Sequence, residues 1–172
     1  MTQPAWPDDI FAALKRWNIG LVAHVPDAGH KRLLELCASD NAMRMAPLAT
    51  EEDGVALLAG FALGGRRGAL LMQSSGVGNC INMLGLPRIC RLPLLMLVTM
   101  RGEWGEFNPW QVSMGQASEE TMKAVGVIVQ RVEQAEDVAA AVEAAARLAF
   151  EGPNAVALLL GQRLIGSKSF AK

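Results

Sequence analysis

At 172 residues the chain is long enough for one domain with a full core, and 51% hydrophobic content implies that a partner covers part of its surface. A net charge of −1 argues against a phosphate-binding surface for nucleic acid, no apolar run reaches the roughly 18 residues of a membrane span, and two histidines leave little scope for a His-based metal site. The three cysteines, Cys37, Cys80 and Cys90, lack metal or redox spacing, and an odd count fits reduced thiols in a cytoplasm. The opening Met1–Pro7 lacks the basic and apolar pattern of a signal peptide.

Asp8 to Trp17 reads as an amphipathic helix with Ile10, Phe11, Leu14 and Trp17 on one side. Gly20 to Val25 is a short apolar strand that Pro26 stops, Gly29 to Cys37 a helix, and Asn41 to Ala46 a strand. Thr50 then precedes an acid cluster, Glu51-Glu52-Asp53, and an apolar helix that runs to about Leu63 and stops at Gly64-Gly65. Thr50 is placed to cap this helix by accepting a backbone N–H, and Gly60 to give close packing. A helix this apolar is expected to be buried, with its acidic start near the interior, where a carboxylate is costly unless something uses it. The bland alternative makes Glu51 and Glu52 solvated acids suited to a helix start.

Gly68 to Met72 is a continuous apolar strand, and Val77 to Ile89 is helical until Pro87 bends or ends it. Leu92 to Met100, Gly126 to Gln130 and Asn154 to Leu160 read as further strands, with an Ala-rich helix from Ala135 to Phe150. Buried strands separated by helices imply an α/β fold, a three-layer α/β/α sandwich around a parallel sheet. Arg101 to Ser118 breaks the pattern as a long loop with Trp104, Phe107 and Trp110, either interfacial or simply packed.

Gln73-Ser74-Ser75-Gly76-Val77-Gly78-Asn79 leaves the third clear strand and opens a helix, at the carboxyl edge where parallel sheets bind ligands. It is neither a dinucleotide fingerprint nor a P-loop: Ile81 takes the third glycine position of the first, and no Gly-Lys-Ser/Thr follows for the second. Ser74, Ser75 and Asn79 either cap the helix or meet a ligand, and Cys80 and Met83 suit a core.

Glu51 followed by Gly60-Phe61-Ala62 resembles the pyrimidine-binding domain of thiamine diphosphate enzymes, in which a glutamate opens a helix that continues into Gly-aromatic-Ala. Val25-Pro26-Asp27 resembles the turn after the first strand of the decarboxylases in that group. The Gln73–Asn79 segment, Pro93–Leu97, Arg101-Gly102-Glu103, Gln111 and Met114-Gly115 are similar to the family of sulfopyruvate decarboxylase alpha subunits, with phosphonopyruvate decarboxylases as close relatives.

That resemblance implies one pyrimidine-binding domain over 1–172, with a core of about 8–165. It implies Glu51 as the catalytic residue, exchanging a proton with the cofactor's aminopyrimidine while the thiamine accepts the electrons left by carbon dioxide. It places Pro26, Ser75, Gly76 and Asn79 at the cofactor, and His24, Asp27, His30, Ser74, Arg101 and Gln111 at the substrate. His24 is equally readable as a packed histidine, His30 as a solvated helix-start residue, and Arg101 as an ion-pair partner of Glu103 or Glu106. His24 stands where related turns often have Gly, and Ala28 where many have Ser, which leaves the substrate open. The chain has no Gly-Asp-Gly for a metal, so magnesium and the diphosphate are implied to be held by a separate beta subunit. The implied assembly contains further copies of this chain as well, and the implied substrate is sulfopyruvate, phosphonopyruvate or another short anionic 2-oxo acid. A non-catalytic regulatory module of the same fold is the reading from another class.

Overall fold

The computed structural model describes residues 6–167; positions 1–5 of the opening stretch and 168–172 lie outside the described residues. Helix α1 (Trp6–Arg16) has Asp8 and Asp9 in its first turn and Lys15 and Arg16 in its last, the charge order that suits a helix dipole. Strand β1 (Ile19–His24) leads through a single 3₁₀ turn to α2 (Lys31–Ala38), β2 (Arg44–Pro47) and α3 (Glu51–Leu63). There follow β3 (Arg67–Gln73), α4 (Ser74–Cys80), α5 (Gly85–Cys90), β4 (Leu94–Thr99), α6 (Val112–Ala124), β5 (Ile128–Val132), α7 (Val138–Phe150), β6 (Ala155–Leu160) and α8 (Gln162–Ile165).

The strands form one parallel sheet in the order β2-β1-β3-β4-β6-β5. Every residue of β4 and β6 is buried, as continuous apolar runs in the middle of a parallel sheet should be. Ala69, Leu71, Leu95, Leu97, Val156 and Leu158 meet α1, α2 and α7 on one face. Leu70, Met72, Met96, Val98, Ala157 and Leu159 meet α3, α4 and α6 on the other. This is the three-layer sandwich expected. Truncating a fully buried member such as Leu97 to Ala should cost about 2–5 kcal/mol.

The chain order reverses direction across the sheet between β1 and β3. At such a switch point the loops after two adjacent strands part and leave a crevice at the carboxyl edge. The loop after β1 carries Asp27; β3 ends at Gln73 and passes directly into α4.

Four expectations need correction. The segment 101–118 is not all loop: α6 begins at Val112, and its buried residues are Gly115, Ser118 and Met122 rather than an apolar stripe. Gly115 is required there, because a Cβ would overlap the Arg101 carbonyl. The single helix expected from Val77 to Ile89 is two, α4 starting at Ser74 and α5 carrying Pro87 in its first turn, where its missing N–H is not needed. Thr50 is extended at the head of α3 but makes no side-chain capping bond. Helix α3 is only half buried: Gly60 faces open space, and the close packing lies at Gly54, where a Cβ would press on Leu70 and Leu48.

Candidate active site

Glu51 opens α3 and is 6% exposed, whereas Glu52 beside it is exposed. The helix turn points the first carboxylate inward, against α4 at Gly76 and Asn79. Its Oε2 accepts a 2.8 Å bond from the Asn79 side-chain amide. The Gly76 backbone lies so close that a Cβ there would overlap the carboxyl group. Buried Cys80 lies nearby, and burial, reinforced by the Glu51 charge, pushes its thiol up to about 12. The thiol is therefore a neutral neighbour of the carboxyl group rather than a nucleophile.

Asn79 also lines an open cleft of about 720 Å³ with Ser75, Gly78, Pro109, Trp110, Ser113 and Met114. No lining residue is charged. A smaller pocket of about 90 Å³ is lined by Asp27, Ala28, Gly29, Arg101, Ile165, Gly166 and Ser167. A cavity of about 610 Å³ at the opposite edge, lined by Lys15, Asp40, Arg66 and Arg67 among others, sits where α1, α2 and α3 end. Its cations have partners of their own: Lys15 pairs with Asp40 at 2.8 Å, and Arg67 donates to the Trp17 carbonyl just past the end of α1. It holds none of the candidate residues.

Between the cleft and the small pocket runs a set of hydrogen bonds. Ser75 donates to Gln73 Oε1 at 2.8 Å, and Gln73 Nε2 donates to Asp27 Oδ1 at 2.8 Å. Asp27 Oδ2 accepts from the Thr99 hydroxyl at 2.6 Å and the Gly29 N–H at 3.1 Å. Gln73 and Thr99 were not singled out from the sequence. The signal was present in both: each is a polar residue closing an apolar strand at the carboxyl edge of the sheet.

His30 is not the solvated helix-start residue considered for it; it is 1% exposed. Its Nε2 lies 3.1 Å from the Leu97 carbonyl and 3.3 Å from the Met72 carbonyl, so this nitrogen carries the proton and donates. Its Nδ1 has no partner in the structure. Burial lowers its pKa, against the opposing charge of Asp27. Half-buried His24 is also lowered by burial, and its Nδ1 is likewise without a partner.

Ser74, expected at the substrate, is fully buried, and its hydroxyl accepts from the Arg101 N–H at 3.1 Å. Arg101 pairs with Glu106 and not with Glu103: Nε and Nη2 each donate to its carboxylate at 2.7 Å. Glu103 instead takes Arg131 at 2.6 Å. The guanidinium keeps the Glu106 carboxyl down at about 2. Gln162, also unforeseen, holds the same segment by accepting from the Glu103 and Trp104 N–H groups at 2.8 and 2.9 Å and donating to Glu106 at 3.0 Å. No sequence signal announced the Gln162 contacts, because Gln162 is more than fifty residues from the segment it holds. Gln111 lies at the foot of α6 with its Oε1 buried and without a partner. Pro26 is exposed in the loop after β1. Among the described residues no cluster of three or more His, Cys, Asp or Glu is arranged to hold a metal.

No family model matches the chain. It is 34% identical over 119 residues to a sulfopyruvate decarboxylase subunit alpha from Methanococcus maripaludis, covering 69% of this chain and 71% of that relative. It is 35% identical over 99 residues to a phosphonopyruvate decarboxylase from Streptomyces viridochromogenes, covering 57% of this chain but only 25% of that longer one. Among solved structures, a 2-oxoglutarate:ferredoxin oxidoreductase from Magnetococcus marinus matches 93% of this chain and 29% of its own length with a TM-score of 0.72. At 14% identity that likeness concerns the fold alone.

Proposed function

Because the chain belongs to the family of sulfopyruvate decarboxylase alpha subunits, we propose that it is the pyrimidine-binding subunit of a two-subunit, thiamine diphosphate-dependent 2-oxo acid decarboxylase. Its substrate is sulfopyruvate, released as sulfoacetaldehyde and carbon dioxide. The observation that carries the reading is Glu51: a buried carboxyl group held by Asn79 and pressed by the Gly76 backbone, beside an open cleft.

The residues present fit one half of the cofactor. A carboxyl group suits proton exchange with an aminopyrimidine, and Met114, Trp110 and Gly78 offer apolar and close-approach surface beside it. When bound, thiamine diphosphate supplies the electron sink for loss of carbon dioxide. This chain's part is to hold that ring, to exchange its proton at Glu51 and to keep the carboxyl group directed through Asn79. The other half of the cofactor finds no match here. A diphosphate with its divalent cation needs oxygen ligands and positive charge, and the cleft is lined by no charged residue. A beta subunit with the diphosphate-binding domain supplies both, and this chain acts as one domain of the joint enzyme. The length of the phosphonopyruvate decarboxylase relative agrees with that division, since this chain aligns with only a quarter of it.

At the substrate, Asp27 and Arg101 share the small pocket, and His24 stands at the end of β1. Assembly buries the exposed apolar side chains, including Trp110 at 82% and Leu63 at 76% exposure, against the beta subunit and further copies of this chain. No described helix is long and apolar enough to cross a membrane, and a cytoplasmic enzyme with reduced thiols is the setting we infer.

Phosphonopyruvate is the second reading, favoured by the relative of that name. Co-expression with a beta subunit, followed by measurement of carbon dioxide release from sulfopyruvate, phosphonopyruvate and pyruvate, separates them. Sulfopyruvate should be the preferred substrate. Release from none of the three would sink the reading and favour a non-catalytic module.

A further inference from the structure

Gln73 has its side-chain amide committed at both ends. Nε2 donates to Asp27, which borders the small pocket with Arg101, and Oε1 accepts from Ser75, which borders the large cleft. One amide thus bridges the two openings of the site. Asp27 is held from three directions, by Gln73 at the end of β3, Thr99 at the end of β4 and the Gly29 N–H in its own turn. That turn has no slack, because a Cβ on Gly29 would press on both Asp27 Oδ2 and Thr99. Ser75 has one hydroxyl proton, and it is spent on Gln73. Toward the cleft Ser75 therefore offers only lone pairs.

We propose that Gln73 is a positioning residue for the decarboxylation, directing the Asp27 carboxylate at the substrate pocket and fixing the Ser75 hydroxyl as a hydrogen-bond acceptor toward the cofactor cleft. This rests on the functional reading above. The role demands an amide. A carboxylate in its place would face Asp27 at hydrogen-bonding distance, and two carboxylates sharing a site cannot both ionise freely. An apolar side chain would leave Asp27 and Ser75 without their partner.

The test is Gln73→Glu in the complex with the beta subunit, with kcat for sulfopyruvate measured from pH 5 to pH 8. A protonated Glu reproduces the amide's donor, whereas an ionised one repels Asp27. The ratio of variant to wild-type kcat should be lower by about tenfold or more near pH 8 and rise toward one near pH 5. The other titratable or charged groups around the pair are His24, His30 and Arg101, and they are present in both proteins. A ratio that stays constant across the range would overturn the proposal. Gln73→Met, which keeps the volume and loses both bonds, covers the case in which the Glu variant fails to fold. It should lower kcat about tenfold at every pH with KM changed less, and an unchanged kcat would overturn the proposal. A wild-type complex that releases no carbon dioxide overturns the functional reading and this inference with it. An active wild type with a pH-independent Gln73→Glu ratio overturns the inference alone.

Discussion

Replacing Glu106 by Ala should unlatch the segment between β4 and α6 that carries Trp104, Phe107 and Trp110. The Glu106 side chain is 3% exposed against 9% for Arg101, and its carboxylate takes two 2.7 Å bonds from that guanidinium. It also accepts from Gln162 at 3.0 Å and from the Asn108 and Gly102 N–H groups at 3.1 and 3.3 Å. Removing one partner of a buried pair leaves the other charge uncompensated, at a cost of about 3–5 kcal/mol. At about 2–4 °C per kcal/mol for a chain of this size, Tm should fall by about 6–20 °C in circular dichroism melts. The acid dependence has a definite sign. The folded carboxyl titrates at about 2 against an ordinary 4.5, so its contribution is present above about 4.5 and is lost as pH falls through about 2. Glu106→Ala should flatten that acid limb. Glu120, paired with Lys123 but 80% exposed at its side chain, is the control, and Glu120→Ala should change little. A Glu106→Ala protein melting within about 2 °C of wild type would refute the reasoning that this pair holds the segment.

Burial lowers the pKa of His30, so the unfolded chain binds its proton more readily: stability should be full above about 6.5 and fall as pH drops below it, and His30→Gln should show a shallower fall in the same melts. Trp110, at 82% exposure on the rim of the cleft, should act in assembly, so Trp110→Ala should weaken association with the beta subunit in size-exclusion chromatography with light scattering while leaving the isolated chain's Tm unchanged. The isolated chain should bind thiamine diphosphate only weakly in calorimetry, and tight magnesium-dependent binding to it alone would contradict the division of the site between subunits.

The fold was legible where burial forces a pattern. Strands β3, β4 and β6 are covered on both faces and read as unbroken apolar runs, and α3 has the limits that its acid cluster and Gly64-Gly65 suggested. Helix α6 was missed because it packs through Gly115 on the main chain of Arg101 and through Ser118 on that of Ser74, small residues that leave no apolar periodicity. Gly60 misled in the opposite sense: its place in the helix suggested a contact, and it faces open space. Glu51 could be singled out by its resemblance motif, whereas its burial beside an exposed Glu52 could be read only from the structure. The clamp on Asp27 was hidden, because Gln73 and Thr99 lie 46 and 72 residues from it in the chain and meet it only through the order of the strands.

Glu51 is proposed as the proton-exchanging group of a decarboxylase. The most direct test of that role is carbon dioxide release from sulfopyruvate by the complex carrying Glu51→Gln, measured beside Glu52→Gln. An amide cannot exchange the proton, so the first variant should assemble normally and lose most of its activity, while the second stays within a few-fold of wild type. Near-normal turnover by Glu51→Gln in an intact complex would rule out that role for Glu51.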